Sequence, residues 1–166
     1  MRSTLAGITE KRKLPWSDVI IDCQGPFTTS ERGMKYTVSY HCAVVGVCKI
    51  EPIKSLQKSD FLHGLVPCIM RARRIPDVVR TDRGPEMTSA VMEEFSSLCN
   101  TRHVLGAAFT PRHQGPGERK HVEVMQHWLL FMHRMTQALS TEWCTLAPVV
   151  EYLIDTEINE TDILRL

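Results

Sequence analysis

The sequence predicts an α/β fold in which a mixed β-sheet is covered by helices. The first third of the chain holds three apolar segments of strand length that are separated by short turns. Farther along, short apolar strands alternate with segments whose apolar residues recur at helical spacing. The resulting order, β-β-β-α-β-α-β-α-α, is typical of a mixed sheet with helices on its faces.

The first three strands are predicted at Trp16–Cys23, Lys35–Val47 and Cys48–Ile53. A Gly-Pro pair ends the first strand, and Gly46 marks the turn into the third. Strands joined by short turns in this way favour an antiparallel meander. Residues 1–13 are predicted to be a basic arm or linker, and residues 14–166 the folded domain.

A helix capped by Ser59 is predicted to run to Ala72, with a kink or interruption at Pro67. The next strand is predicted at Asp77–Thr81, with a buried pair formed by its two adjacent valines. A helix then begins at Thr88 or Ser89. Its predicted apolar face consists of Val91, Met92, Phe95 and Leu98.

The last strand is predicted at Arg102–Leu105, before a loop rich in glycine and proline. A long helix is predicted at Glu118–Leu139, with an apolar stripe broad enough for burial on more than one side. The final helix is predicted at Glu142–Ile154, and Pro148 leaves its start uncertain.

The composition is that of one globular domain. The chain has 166 residues, of which 43% are apolar and 23% charged. No apolar run approaches the roughly 18 residues of a membrane span, and no signal peptide is predicted. Six scattered cysteines without a CxxC pair indicate reduced thiols in an intracellular protein. A net charge of +1 predicts weak binding to nucleic acid by this chain alone.

Three carboxylates are candidates for chemistry. Asp22 ends an apolar strand, Asp82 follows the strand that ends at Thr81, and Glu118 begins a predicted helix after an interval of 35 residues. Ligands gather at the carboxyl ends of strands in open α/β sheets. Oxygen ligands without cysteine or histidine suit Mg²⁺ or Mn²⁺. Two such ions about 3.5–4 Å apart can stabilise the attacking and leaving oxygens of a phosphoryl transfer.

Each carboxylate also has a structural interpretation. An aspartate at a strand end often caps a turn, and a glutamate at a helix start interacts favourably with the helix dipole. Spacing alone does not choose among the acidic residues, because rivals exist at Asp18, Asp60, Asp77, Glu86 and Glu123.

The residues around these carboxylates carry a resemblance. The run TDRGPEMTS at 81–89 resembles the second-aspartate motif of retroviral-type integrases, in the form found in gypsy-class LTR retrotransposons. FTP at 109–111, followed by Gly115 and Glu118, is similar to their catalytic-glutamate motif, and the 35-residue interval resembles their D,D(35)E signature. Trp16, Asp22, Gly25 and Pro26 match the first-aspartate strand of this family. The resemblance covers roughly residues 14–155.

The resemblance implies an RNase H-like fold, with a five-stranded mixed sheet of order 3-2-1-4-5. It implies DNA integration by a metal-dependent polynucleotidyl transferase and endonuclease, which trims the 3′ ends of element DNA and joins them to target DNA. The implied catalytic residues, which would also hold two Mg²⁺ or Mn²⁺ ions, are Asp22, Asp82 and Glu118. The implied DNA contacts are Gln24, Arg119, Lys120 and His121.

DNA and a second copy of the chain, as a homodimer or higher oligomer, are the expected partners, without a membrane. The expected location is the nucleus or a virus-like particle. Thr81 and His121 stand where the family often has Ser and Asn, which affects DNA-end contacts rather than metal ligands. The family's amino-terminal HHCC zinc module and its carboxyl-terminal DNA-binding module are missing, so a core fragment or a shortened gene is expected. Two alternatives stay open: a catalytically inert, domesticated module for dimerisation or binding, and another RNase H-like nuclease or transposase.

Overall fold

A computed structural model describes residues 14–81, 90–105, 134 and 141–163. Their helices and strands have the following order along the chain. They are β1 (Asp18–Gln24), β2 (Tyr36–Cys42), β3 (Cys48–Ile53), α1 (Lys58–Ala72), β4 (Val78–Thr81), α2 (Ala90–Leu98), β5 (Arg102–Leu105), a 3₁₀ helix (Trp143–Leu146) and α3 (Ala147–Ile163).

The five strands form one mixed sheet in the order β3-β2-β1-β4-β5. The first three strands pair antiparallel, whereas β1 with β4 and β4 with β5 pair parallel. This is the predicted α/β architecture with the strand order 3-2-1-4-5, and it confirms the RNase H-like fold. The order places β1 in the centre of the sheet, between an antiparallel neighbour and a parallel one.

One face of the sheet is an apolar core covered by α1 and α2. Alternation along the strands sends every second side chain to this face. Phe61 and Leu65 of α1 and Met92 of α2 are fully or almost fully buried against it. Burial raises the pKa of the Cys68 thiol to about 12, so this thiol behaves as a small neutral core residue. The strand residues of this core are Val19, Ile21, Val38, Tyr40, Ile53 and Val79.

A second apolar cluster lies on the opposite face, over β3. Trp143 is completely buried there, and its indole Nε1 donates to the carbonyl of Thr28 at 2.7 Å. The 3₁₀ helix and α3 therefore attach to both β3 and the segment that follows β1. The other members of this cluster are Cys48, Ile50, Cys144, Ala147, Val150 and Ile154.

The outer edge of β3 is occupied by carboxylates of α3. Asp155 Oδ1 accepts from the backbone N–H of Cys48 at 3.0 Å, and Glu151 Oε2 accepts from that of Ile50 at 3.1 Å. Lys49 balances this charge, with its ammonium 2.9 Å from Glu151 and 3.2 Å from Asp155. Arg71 of α1 adds a further contact to Glu151 at 3.3 Å. Side chains of α3 thus satisfy edge amides that no strand pairs.

Several predicted boundaries and faces differ from the structure. The strand predicted at Lys35–Val47 ends at Cys42, because the turn begins at once after it. The N-cap of α1 is Gln57 rather than Ser59. The helix continues through Pro67, because buried residues on both sides of the proline hold it against the sheet. The carbonyl that Pro67 leaves without its helical partner belongs to His63, on the exposed side.

The predicted burial of two residues is also wrong. Val79 is buried but Val78 only half-buried, because adjacent strand residues point to opposite faces. Leu98, predicted on the apolar face of α2, is 80% exposed at the end of that helix. The predicted last helix is instead a 3₁₀ turn followed by α3, with Pro148 in the first turn, where a helix tolerates proline.

Other predictions lie outside the described residues. These are the arm at 1–13 and, except for residue 134, the long helix Glu118–Leu139. Within the part of the chain that the structure describes, no helix is long and apolar enough to span a membrane. All six cysteines are in that part, and none forms a disulfide.

Candidate active site

Asp22 lies near the end of β1, on the face of the sheet opposite α1. Its partner across the antiparallel pair is Ser39 of β2, and the next pair on this face joins Gln24 to Thr37. The residues on either side of Asp22 face the other way: Ile21 belongs to the apolar core, and Cys23 packs against it. Strict alternation along β1 and β2 therefore gathers four polar side chains into one patch at the centre of the sheet.

Both carboxylate oxygens of Asp22 accept hydrogen bonds from the chain. The backbone N–H of Cys23 donates to Oδ1 at 2.9 Å, and Nε2 of Gln24 donates to Oδ2 at 2.7 Å. Asp22 itself is half-buried. Since a carboxylate oxygen has two lone pairs, it can accept a hydrogen bond and still coordinate a cation.

Gln24 connects Asp22 to the two hydroxyls of β2. Its Nε2 also donates to Oγ of Ser39 at 3.1 Å, and its Oε1 accepts from Oγ1 of Thr37 at 3.1 Å. Ser39 in turn donates to the backbone carbonyl of Asp22 at 3.1 Å. These contacts form one buried network around the aspartate. The sequence analysis missed Thr37 and Ser39, although their alternate positions on a predicted strand beside Asp22 were a usable signal.

The parallel register between β1 and β4 bears on Asp82. The last pair of this ladder joins Ile21 to Thr81, the residues that directly precede the two aspartates in sequence. Neighbouring strands are about 4.8 Å apart. Asp82 and Glu118 lie outside the described residues, as do the predicted DNA contacts Arg119, Lys120 and His121. Of the seven predicted site residues, the structure therefore describes Asp22 and Gln24.

Three of the rival carboxylates are engaged in structural contacts. Asp18 forms a bidentate pair with Arg80, with Nε and Nη2 at 2.8 and 2.9 Å from its two oxygens. Asp60 accepts from Ser55 at 2.6 Å, next to the start of α1. Asp77 lies 3.4 Å from Arg74 at the surface. Each has a local partner that explains its position.

His103 of β5 is a titratable neighbour of the strand that leads to Asp82. Its Nε2 lies 2.8 Å from Oγ1 of Thr81. Partial burial lowers the pKa of His103 below its usual value, and the negative charge of Glu93 acts in the opposite direction. Sequence analysis did not single out His103, because nothing in the local pattern distinguishes it from other strand residues.

The described residues fit a hard-metal site only in part. Among them, no group of three His, Cys, Asp or Glu side chains is placed to hold an ion. Asp22 contributes an oriented carboxylate, and its two candidate partners are also carboxylates. An all-oxygen donor set of this kind is what Mg²⁺ and Mn²⁺ prefer.

The strand order and the position of Asp22 together define an RNase H-like α/β protein with a carboxylate on its central strand. No protein-family model matches the chain. A 50-residue stretch is 38% identical to the Gag-Pro-Pol polyprotein of Simian retrovirus SRV-1. The similarity to the Gag-Pro-Pol polyprotein of Mason-Pfizer monkey virus is 36% over 50 residues. Each match covers 30% of this chain and 3% of the polyprotein, so the chain is similar to a small part of these retroviral proteins.

Proposed function

We propose that this chain is the catalytic core of a retroviral-type integrase, a metal-dependent polynucleotidyl transferase and endonuclease that acts on DNA. The observation that carries the proposal is the position of Asp22. It lies on the central strand of a 3-2-1-4-5 sheet, directly after the residue that pairs with Thr81, and Asp82 directly follows Thr81 in sequence. The retroviral similarity supports the same family.

In this proposal Asp22, Asp82 and Glu118 would hold two Mg²⁺ or Mn²⁺ ions. Such a pair of ions supplies electrostatic stabilisation of the oxygens that attack and leave the phosphorus. The chain contributes the orientation of its carboxylates, which the hydrogen bonds of Cys23 and Gln24 already provide for Asp22.

The proposed reaction occurs twice at the same site. In trimming, a water oxygen bonds to phosphorus and the bond to the departing 3′-oxygen breaks. In joining, the new 3′-hydroxyl attacks target DNA and displaces another 3′-oxygen. In both steps a proton leaves the attacking oxygen and one is taken up by the leaving oxygen. In joining, one phosphodiester bond forms as another breaks, so their number is unchanged.

The proposed partners are element DNA, target DNA and further copies of the chain. Arg119, Lys120 and His121 follow Glu118 directly in sequence and would contact the DNA near the reacting phosphate. With a net charge of only +1, the chain has little long-range attraction for DNA. A homodimer or higher oligomer, acting in the nucleus or in a virus-like particle, would bring two DNA ends together.

The test is reversal of joining on a branched DNA that mimics the integration product. With Mn²⁺ or Mg²⁺, the native chain should release the element end and reseal the target strand. Asp82→Asn should lower this rate more than about a hundredfold. Substitution of residues that only orient metal ligands already lowers metal affinity or activity by about 10- to 100-fold, and loss of a ligand should cost more. Asp77→Asn is the matched control, since the Asp77 side chain is 69% exposed at the surface.

The outcomes separate the proposal from its alternatives. Equal activity in the native chain and in Asp82→Asn would contradict the metal-ligand role. Native protein that neither binds Mn²⁺ nor reseals DNA would favour the inert binding module. Cleavage without resealing, again dependent on Asp82, would favour another nuclease of the RNase H-like class.

A further inference from the structure

We propose that Gln24 is a positioning residue that fixes the Asp22 carboxylate in one orientation before a metal ion binds. The proposal rests on the proposed function, in which Asp22 is a metal ligand. It gives Gln24 a different role from the DNA contact that the sequence resemblance implies.

The hydrogen-bond directions leave one orientation for the Gln24 amide. Ser39 uses its single hydroxyl proton on the carbonyl oxygen of Asp22, so its own oxygen can only accept from Gln24. Nε2 must therefore face Ser39 and Asp22, while Oε1 faces the hydroxyl of Thr37. A flipped amide would place Oε1 against a carboxylate oxygen, two acceptors without a proton between them.

Burial makes this network rigid. Gln24 is 5% exposed, and Thr37 and Ser39 are completely buried. Water therefore does not compete for the amide, and a hydrogen bond to an ionised carboxylate is stronger than one between neutral groups. An amide with both N–H groups and its oxygen engaged inside the sheet is not presented to a DNA strand.

The consequence is a carboxylate held at both oxygens. Gln24 holds Oδ2 at 2.7 Å and the backbone N–H of Cys23 holds Oδ1 at 2.9 Å, so rotation of the carboxylate would break both contacts. Outer partners of this kind orient metal ligands and strengthen metal binding. Thr37 and Ser39 act through Gln24, since they fix the amide that fixes Asp22.

The test is Mn²⁺ binding to the full chain without DNA, measured by calorimetry for native protein and Gln24→Met. Methionine has a similar length but donates no hydrogen bond. Mn²⁺ affinity should fall about 10- to 100-fold. In the joining-reversal assay the half-saturating Mn²⁺ concentration should rise by a similar factor, while the rate at saturating Mn²⁺ stays close to native. Gln57→Met, at an exposed position before α1, is the matched control and should behave as native.

Thr37→Val provides a second variant if Gln24→Met does not fold, because it exchanges a hydroxyl for a methyl group of similar shape. It should also weaken Mn²⁺ binding, by a smaller factor than Gln24→Met does. Lower melting temperatures with native Mn²⁺ affinity in the folded variants would overturn the proposal, since Gln24 would then be only a structural residue. Native protein that binds no Mn²⁺ would overturn the proposed function and this role with it.

Discussion

Strands β1 and β2 present an apolar face on one side of the sheet and a polar face on the other, because alternate residues of each strand point in opposite directions. Towards α1, Ile21 pairs with Tyr40 and both are buried among apolar side chains. Towards the other face, Asp22 pairs with Ser39 within a network of hydrogen bonds. A shift of one residue in register would exchange the two sets. The apolar face therefore fixes the register that places the polar face.

The comparison separates two kinds of contribution. Side chains on the α1 face contribute mainly to the free energy of unfolding, through burial and packing. On the Asp22 face, Gln24, Thr37 and Ser39 form the hydrogen-bond network that orients one carboxylate. Substitutions on the two faces should consequently change different measurements. The Gln24 and Thr37 variants described above test the Asp22 face. The following variants, from the largest expected effect to the smallest, test the face covered by α1 and α2.

Leu65→Ala should have the largest effect on stability. Leu65 is completely buried between α1 and the sheet, so its loss removes apolar contacts and leaves a cavity. The free energy of unfolding should fall by about 2–5 kcal/mol, measured by urea denaturation. Val66→Ala, one residue along and 51% exposed, should change it by no more than about 0.5 kcal/mol. Similar losses in both variants would show that α1 does not bury the face described here.

Gly64→Ala tests how closely α1 approaches the sheet. A Cβ atom at this position would lie 2.6 Å from Cγ2 of Ile53 and 3.1 Å from Cγ2 of Val38. Overpacking should destabilise the protein by about 1–3 kcal/mol. Helix propensity alone would stabilise it by up to about 1 kcal/mol. The measurement is therefore whether the urea midpoint falls or rises. A higher midpoint would show that α1 approaches Ile53 and Val38 less closely than described here.

His103→Gln should have the smallest effect, visible as a change in pH dependence. Val79, which pairs with His103, belongs to the apolar core, and burial lowers the histidine's pKa. The unfolded chain therefore takes up a proton more readily, so this contribution to stability is complete above about pH 6.5 and is lost as the pH falls. Between about pH 7.5 and 5, the variant should lose less stability than native protein.

The control for the histidine experiment is His63→Gln, on the exposed side of α1. Thermal unfolding across the same pH range measures both variants. An equal flattening of the two curves would show that the loss of any imidazole has this effect, and the location of His103 would then be irrelevant.

Much of the fold could be predicted from the sequence, because strand alternation and turn residues are local signals. The bounds of β3 and β5 agree with the prediction to the residue. The failures arose where tertiary contacts outweigh local preference. Pro67 did not interrupt α1, since burial on both sides stabilises the helix, and Leu98 fits the helical spacing of α2 but extends past the core.

The site was predictable only in outline. The pattern around Asp22 selected a strand end, and the structure places it on the central strand. The role of Gln24 could not be predicted, because it depends on Thr37 and Ser39 across the sheet, 13 and 15 residues away in the chain. Cross-strand partners become known only when the register is known. The metal ligands at Asp82 and Glu118 stay predictions.

The carboxylates that α3 directs at β3 have a consequence for assembly. Outward-facing amides on an edge strand normally invite a strand from another molecule. Here Asp155 and Glu151 already accept hydrogen bonds from the backbone N–H groups of Cys48 and Ile50. A strand from another molecule would therefore have to displace a helix as well as two charged acceptors. Copies of this chain should therefore not extend their sheets into one another across β3.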